Sequence, residues 1–398
     1  MAVPAKNLPA DIITDILSRL PLKSLVRFRC VSKPWLYFIT HSRFPYWLLY
    51  RHLNCDPLTY CPHSQSNVFL SYNNKKQCRE IGGSDSKLFS FGGGYQEDAF
   101  GSAMEVDFPL IKGKSFQIKT DCCYGMFCLA IQQNNTNNKS TLVLWNPSIG
   151  DYRILPLPEE LGICEGVCGL GFDSSMDDFK VVSVCEKQAH VFSVKKNSWK
   201  NIGGLGYHVF YDGVPANGCL FWAASKTRKF ADKILCLNLS NDTFMEIPPP
   251  PFDKSTSRHT WFQEEEEVIV VAELNLLLWG NSLCAFRQYD QSLWVMKEEK
   301  EENSGVVKEI IWTKIMSIPK ISNQESHFRI YYRLHPICFT KSGKLLVSVR
   351  RKWFVMYDGV KYQDVHVHGI PDGRYNKATV YTESLISPAS IRGMNDID

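Results

Sequence analysis

A unit that comes back along the chain constrains this fold more than any other feature. A strand, a tight turn and a second strand occur at residues 142–147 into 152–156, at 190–194 into 198–202, and at 234–239 into 243–248. Ser148 to Asp151, Lys196-Asn197 and Asn241-Asp242 supply the turns. Their spacing of roughly 45 residues is the period of four-stranded propeller blades. Two further units follow. One joins 292–296 to 311–315 past an acidic insertion, and the other joins 353–357 to 360–362 through Asp358-Gly359. Further apolar runs at 169–173, 180–184 and 218–222 fill the gaps with strands. Each unit has one apolar face that it cannot cover alone, and a closed ring of units covers them all.

The first fifty or so residues are built otherwise. Ile12, Ile13, Ile16, Leu17 and Leu20 recur at helical spacing between Asp11, Asp15 and Arg19, with Pro9 in the first turn. Pro21 ends that helix, and Leu22, Leu25, Val26 and Phe28 form a second stripe. Ser32 and Ser42 are the expected caps of a third and a fourth helix. So small a bundle cannot bury stripes this wide, which is a physical reason to expect a partner surface.

The segments Leu8-Pro9, Ile16-Leu17, Arg19-Leu20-Pro21, Lys23-Ser24-Leu25, Arg27-Phe28-Arg29-Cys30-Val31-Ser32-Lys33 and Trp35 together resemble a plant F-box. Ala10 stands where an acid is common and Pro34 precedes the tryptophan; neither is on the apolar stripe. The later chain resembles the F-box-associated, kelch-like domain of the same proteins, a broad family that includes S-locus F-box-like proteins. Trp145-Asn146-Pro147, Leu170-Gly171-Phe172-Asp173, Asp178-Phe179-Lys180, Asn197-Ser198-Trp199 and Tyr381-Thr382-Glu383-Ser384-Leu385 carry that match. The diglycine with spaced Tyr and Trp of true kelch repeats is not regularly repeated.

The resemblance implies an α+β multidomain chain, in which a small N-terminal helical F-box precedes an all-β kelch-like propeller. Six blades are expected, with a strand at 378–386 helping to close the ring. The expected boundaries are 1–53 for the F-box, 54–67 for a linker, 68–388 for the propeller and 389–398 for a tail. It further implies a substrate-recognition subunit of a Skp–cullin–F-box ubiquitin ligase. In that role it has no catalytic residues and no cofactor, and it joins cullin and RING subunits through a Skp-type adaptor. The adaptor-binding residues by motif match are Leu8, Pro9, Ile12, Ile16, Leu17, Leu20, Pro21, Leu25, Val31 and Trp35. The target protein is unidentified.

Composition agrees with a binding role. The net charge of +4 is small for 398 residues, with both signs interleaved, so no nucleic-acid partner is expected. No apolar run suffices for membrane insertion, and Met1 to Asn7 shows no secretory pattern, so the expected compartment is cytoplasm or nucleus. Cys128, Cys236 and Cys338 sit inside apolar runs, as reduced buried thiols do. Cys164 with Cys168, and Cys55 with Cys61 and His63, lack a second pair at zinc spacing, so no metal is expected.

No nucleophile elbow, metal-binding helix or phosphate loop occurs. The acidic runs at 264–267 and 298–302 read as solvated loops. His366 and His368 read as alternate positions on an exposed strand face.

Two aromatic-rich loops supply the candidate target-binding residues Tyr207, Phe210, Tyr211, Phe252 and Trp261, because aromatic anchors are frequent binding hot spots. Packing between blades is the plainer alternative for them. Two other functions stay open: an F-box receptor or lectin that takes a glycan or small molecule, and a ring hydrolase or oxidase with an appended F-box. The second would need perturbed ionisable groups at the central channel.

Overall fold

The computed structural model describes residues 9–41, 44–53, 66–73, 86–92, 101–132, 140–157, 166–185, 187–227, 231–251, 274–280, 282–288, 290–300, 307–321, 332–340 and 342–391. Four helices open the chain: α1 (Ala10–Ser18), α2 (Leu22–Phe28), α3 (Lys33–His41) and α4 (Phe44–Leu53). Pro9 and Pro21 are the N-caps of α1 and α2, one position earlier than the sequence places Pro9. Their carbonyls accept from Ile13 at 3.1 Å and from Ser24 at 2.8 Å. Ser32 caps α3, its hydroxyl accepting from the Trp35 amide at 3.3 Å. Ser42 lies outside the described residues.

Six antiparallel sheets follow, one per blade. The first holds β1 (Ser66–Asn73), β2 (Ser86–Gly92) and β3 (Met104–Glu105). The second holds β4 (Phe116–Ile118), β5 (Phe127–Gln132), β6 (Ser140–Asn146) and β7 (Asp151–Leu155). The third is β8 (Val167–Asp173), β9 (Asp178–Cys185), β10 (Gln188–Ser193) and β11 (Ser198–Gly204). The fourth is β12 (His208–Val209), β13 (Val214–Ala216), β14 (Cys219–Ser225), β15 (Lys233–Asn238) and β16 (Thr243–Ile247). The fifth is β17 (Leu274–Trp279), β18 (Ser282–Arg287), β19 (Ser292–Lys300) and β20 (Val307–Ser317). The sixth is β21 (Leu334–Phe339), β22 (Leu345–Val349), β23 (Trp353–Tyr357) and β24 (Tyr362–Val365).

The expected closing strand is β25 (Lys377–Thr382), which pairs with β1 and completes the first sheet. The ring is therefore shut by a late strand beside an early one. Two boundaries move. Ser66 and Asn67, expected in the linker, belong to β1. Ile391, expected in the tail, is buried in the core of the second and third blades.

Local chemistry explains the turns. Asp177, Asn197, Asn217 and Asp242 all sit at left-handed φ near +50°, where Asp and Asn are tolerated best. A second device stitches blades together. The first aromatic of an outer strand donates to a proline carbonyl just past the preceding blade's outer strand. Trp199 reaches Pro156 at 2.6 Å, Trp312 reaches Pro248 at 2.9 Å and Tyr362 reaches Pro319 at 2.5 Å.

Two expectations change in detail. The acidic run begins on a ladder, with Glu298 opposite Ile310 and Glu299 opposite Glu309 across β19 and β20, while Glu301, Glu302 and residues 264–267 lie outside the described residues. His366 and His368 lie beyond the end of β24, exposed in the following loop rather than on a strand.

Candidate adaptor-binding and target-binding surfaces

The F-box core is Leu17, Leu22, Leu25, Ile39, Phe44 and Leu48, and one of its buried members, Leu385, comes from the propeller. Ile149 packs on the same cluster. Tyr46 of α4 meets Phe172 at 6.2 Å between ring centroids, and Phe172 in turn meets Tyr124 at 4.9 Å. Burial, then Asp177 and Asp178, push the Tyr46 hydroxyl well above its ordinary value. The wide stripes are thus covered partly by the chain's own ring.

The remainder stays exposed. Ile12 and Ile16 are each 44% exposed on one face of α1, Val31 is 60% exposed, and Tyr37 is 66% exposed beside Leu36. Single exposed apolar side chains are ordinary, but this many on so small a bundle are not.

These positions divide the motif-matched set. Ile12, Ile16 and Val31 are at the surface, and Pro9 and Pro21 are exposed beside them. Leu17 and Leu25 are fully buried, a correction to their expected place on the adaptor face: they hold the helices together. Leu20 and Trp35 are partly buried against the same core, Trp35 edge-on to Phe28 at 5.5 Å. Leu8 lies outside the described residues. Leu36 and Tyr37, exposed on α3, are not among the motif-matched residues.

The ring seats the F-box on one face. Strand pairing puts the turns at 123–126, 147–150 and 174–177 on the same side as the end of β25, and Ile149, Phe172 and Leu385 meet the helices there. The strand ends leading out of β7, β11, β16, β20 and β24, and those between the two middle strands of each blade, lie on the opposite face. Among the described residues that face makes no contact with the F-box.

The aromatic candidates stand as follows. Tyr207 is buried among Leu205, Leu220 and Trp222, and its hydroxyl donates to Glu246. The hydrogen bond to Glu246 pushes the Tyr207 pKa up to about 12. Tyr211 packs, half-buried, against the core between the fourth and fifth blades, and Phe210 is half-buried with its amide bonded to the Ala223 carbonyl. The expectation of an aromatic docking cluster is corrected for Tyr207 and Tyr211, which pack within the ring because their loop crosses a blade junction. Phe252 and Trp261 lie outside the described residues.

Ionisable groups do gather near the axis. The Lys377 ammonium lies 2.9 Å from Asp212 and 3.4 Å from Asp121, and Thr379 donates to Asp121 at 3.2 Å. Lys119 donates to the Gly166 carbonyl at 2.6 Å. Burial opposes the charge on Lys377, but the two carboxylates hold it protonated well above the ordinary lysine range. Burial pushes the nearby Cys168 thiol up to about 12. The cluster is an ion-pair tie between blades, with the lysine held as a cation and the thiol as an inert hydrophobe. Among the described residues no group of His, Cys, Asp and Glu is placed to hold a metal, and no described helix is long and apolar enough to cross a membrane.

A second tie joins the third and fourth blades. Lys180 lies 3.1 Å from Asp173 and 2.9 Å from Asp242, and also donates to the Leu239 carbonyl. Burial raises Asp173, but the Ser175 hydroxyl and Lys180 together hold it below the ordinary carboxylate value. Replacing Lys180 with methionine strands Asp173 and leaves Asp242 with Lys200 alone, at a cost of about 3–5 kcal/mol. A carboxylate held low contributes stability above its unfolded value and loses it as pH falls through the folded value. The wild type therefore loses this contribution in acid, whereas the variant's carboxylates protonate readily. Urea melts at neutral and acid pH should show the gap between the two proteins narrowing as pH falls.

Comparison with known proteins fits this architecture. The F-box domain matches residues 6–47, and the F-box associated beta propeller domain matches residues 84–388. The chain belongs to the F-box proteins that carry an F-box associated beta propeller. It is 25% identical to F-box protein CPR1 of Arabidopsis thaliana, over 88% of this chain and 82% of that protein. It is also 25% identical to F-box/kelch-repeat protein At3g23880 of the same plant, over 80% of this chain and 81% of that protein.

Proposed function

We propose that this chain is the substrate-recognition subunit of a Skp–cullin–F-box ubiquitin ligase. The observation that supports it best is the uncovered apolar surface of Ile12, Ile16, Val31, Leu36 and Tyr37 on an F-box whose other side is seated on the ring. That surface docks a Skp-type adaptor, which bridges to cullin and RING subunits. The ring presents its opposite face to a target protein. The chain performs no covalent step. It holds a target lysine near a conjugating enzyme bound elsewhere in the complex, and the gain is effective concentration at the reacting centre. A seated F-box makes that distance reproducible, which a flexible tether would not. The work takes place in cytoplasm or nucleus, where the adaptor and proteasome act.

Size-exclusion chromatography of the purified chain with a purified Skp-type adaptor should give one co-eluting complex at micromolar concentrations. Separate elution of two folded proteins would refute the reading.

A further inference from the structure

One turn on the face opposite the F-box is built from costly residues. β22 and β23 are joined through Arg350, Arg351 and Lys352, and the Lys352 amide donates to the Val349 carbonyl at 3.0 Å. Arg350 has φ +54° and Arg351 has φ +57°. Positive φ at both central residues is the signature of the type I′ turn, where Asn and Gly are the usual occupants. A side chain with a Cβ pays a steric penalty there, and long cationic side chains have no compensating local hydrogen bond of the Asn type. Strain of this kind persists where the residues serve another purpose.

The surroundings show what the turn assembles. The Arg350 amide donates to the Arg333 carbonyl at 3.0 Å, which sets the two residues side by side. The Arg350 guanidinium lies 5.0 Å from the centre of the Tyr332 ring, and that ring meets Trp353 edge-on at 5.6 Å. Arg351 donates to the Asn376 carbonyl at 3.0 Å, and its own carbonyl accepts from Tyr375, next in sequence to Arg374. Arg333, Arg350, Arg351, Lys352, Trp353 and Arg374 are all exposed. Below them His335 is held neutral: burial, then Arg351 and Arg333, lower it to about 4.

Several lysines elsewhere in the ring are neutralised. Lys180, Lys195, Lys200, Lys233 and Lys377 are each paired with a carboxylate. Arg350, Arg351, Lys352 and Arg374 form no ion pair with another described residue. Asp358, Asp364 and Asp372 are the described carboxylates nearest in sequence, all exposed.

We infer that this sixth-blade corner docks an acidic, carboxylate-rich segment of the target protein. Guanidinium groups suit carboxylates because their fork matches two oxygens at once, and the Tyr332–Trp353 pair offers an apolar flank to the same segment. A nucleic acid fits less well, since the cations are confined to one corner instead of tracking a backbone. The inference rests on the proposed function and names the chemistry of the target it recruits.

The probe is a fluorescein-labelled peptide rich in Glu and Asp, titrated by fluorescence anisotropy into the full chain at physiological salt. Asn accepts the left-handed conformation, so Arg350→Asn with Arg351→Asn keeps the turn while deleting its charge. This variant should bind the peptide about tenfold or more weakly, through loss of charge-assisted hydrogen bonds. Lys196→Glu, on the F-box face, should bind within about twofold of wild type. Lys352→Glu with Arg374→Glu, outside the two strained positions, carries the same test if the turn variant fails to fold. Equal affinity of wild type and a folded patch variant would overturn the inference, and so would tighter binding of a duplex DNA oligonucleotide than of the peptide. Adaptor co-elution, read on the same samples, involves only the F-box. Its failure would fall on the proposed function and leave the anisotropy result to judge the patch.

Discussion

With Ile12 and Ile16 both replaced by glutamate, the chain should lose adaptor binding by at least about a thousandfold while its melting temperature stays close to wild type. The first half follows from desolvation. Each isoleucine has nearly half its surface left to bury, worth about 1 kcal/mol on docking, and a carboxylate carried into an apolar contact costs several kcal/mol more. Two such changes exceed the roughly 4 kcal/mol that a thousandfold represents. The second half follows from exposure: neither side chain belongs to the folded core. The same change at Leu17 or Leu25 would also abolish binding, but by unfolding the helices, and would say nothing about the interface. Isothermal titration against a Skp-type adaptor, with a thermal melt of each protein, separates the cases. A natively melting variant that still binds tightly would mean the adaptor uses another face.

Asn146→Leu should be among the most destabilising single changes in the ring, at about 3–5 kcal/mol. The side chain is fully buried and its hydrogen bonds are satisfied on both ends. Its amide donates to the Ser384 carbonyl at 3.1 Å, the Ser384 hydroxyl at 3.0 Å and the Ile386 carbonyl at 2.8 Å. Its oxygen accepts from the Ser148 amide and the Tyr381 hydroxyl, both at 2.9 Å. Leucine has nearly the same shape and no polar atom, so several buried groups lose their partner at once. Because Ser384 and Ile386 flank Leu385, the variant should also loosen the F-box. Hydrogen exchange should show faster exchange in β25 and in α1 to α4 together. Faster exchange confined to β6 would show that Asn146 does not govern the closing segment.

Much of the architecture was legible from residue pattern. The Trp145-Asn146-Pro147 motif, the Asn and Asp turns and the alternating strands mark blades because each follows from local chemistry. The closing strand was placed by the resemblance that Tyr381 to Leu385 carry. The interface was legible only as a set. Whether a stripe residue such as Leu17 or Ile12 faces inward depends on how four helices and Leu385 pack, and helical spacing does not contain that information. The aromatic loop misled for the same reason: Tyr207 lies at a blade junction, and the Glu246 that holds its hydroxyl is distant in sequence. The cationic corner went unseen because Arg333 and Arg350 meet only when β21 pairs with β22, and Tyr375, next to Arg374, reaches Arg351 only from beyond β24.

The seat of the F-box also imposes an order on synthesis. The four helices leave the ribosome first, yet Leu385, which completes their core, is made after every other blade strand. Until that segment arrives, the helices lack a wall and the ring lacks its inner strand, so neither half is finished before the other. An adaptor that needs the finished helices would then meet only chains whose target face is already assembled. Nascent or truncated copies would be kept out of the proposed complex by their own incompleteness.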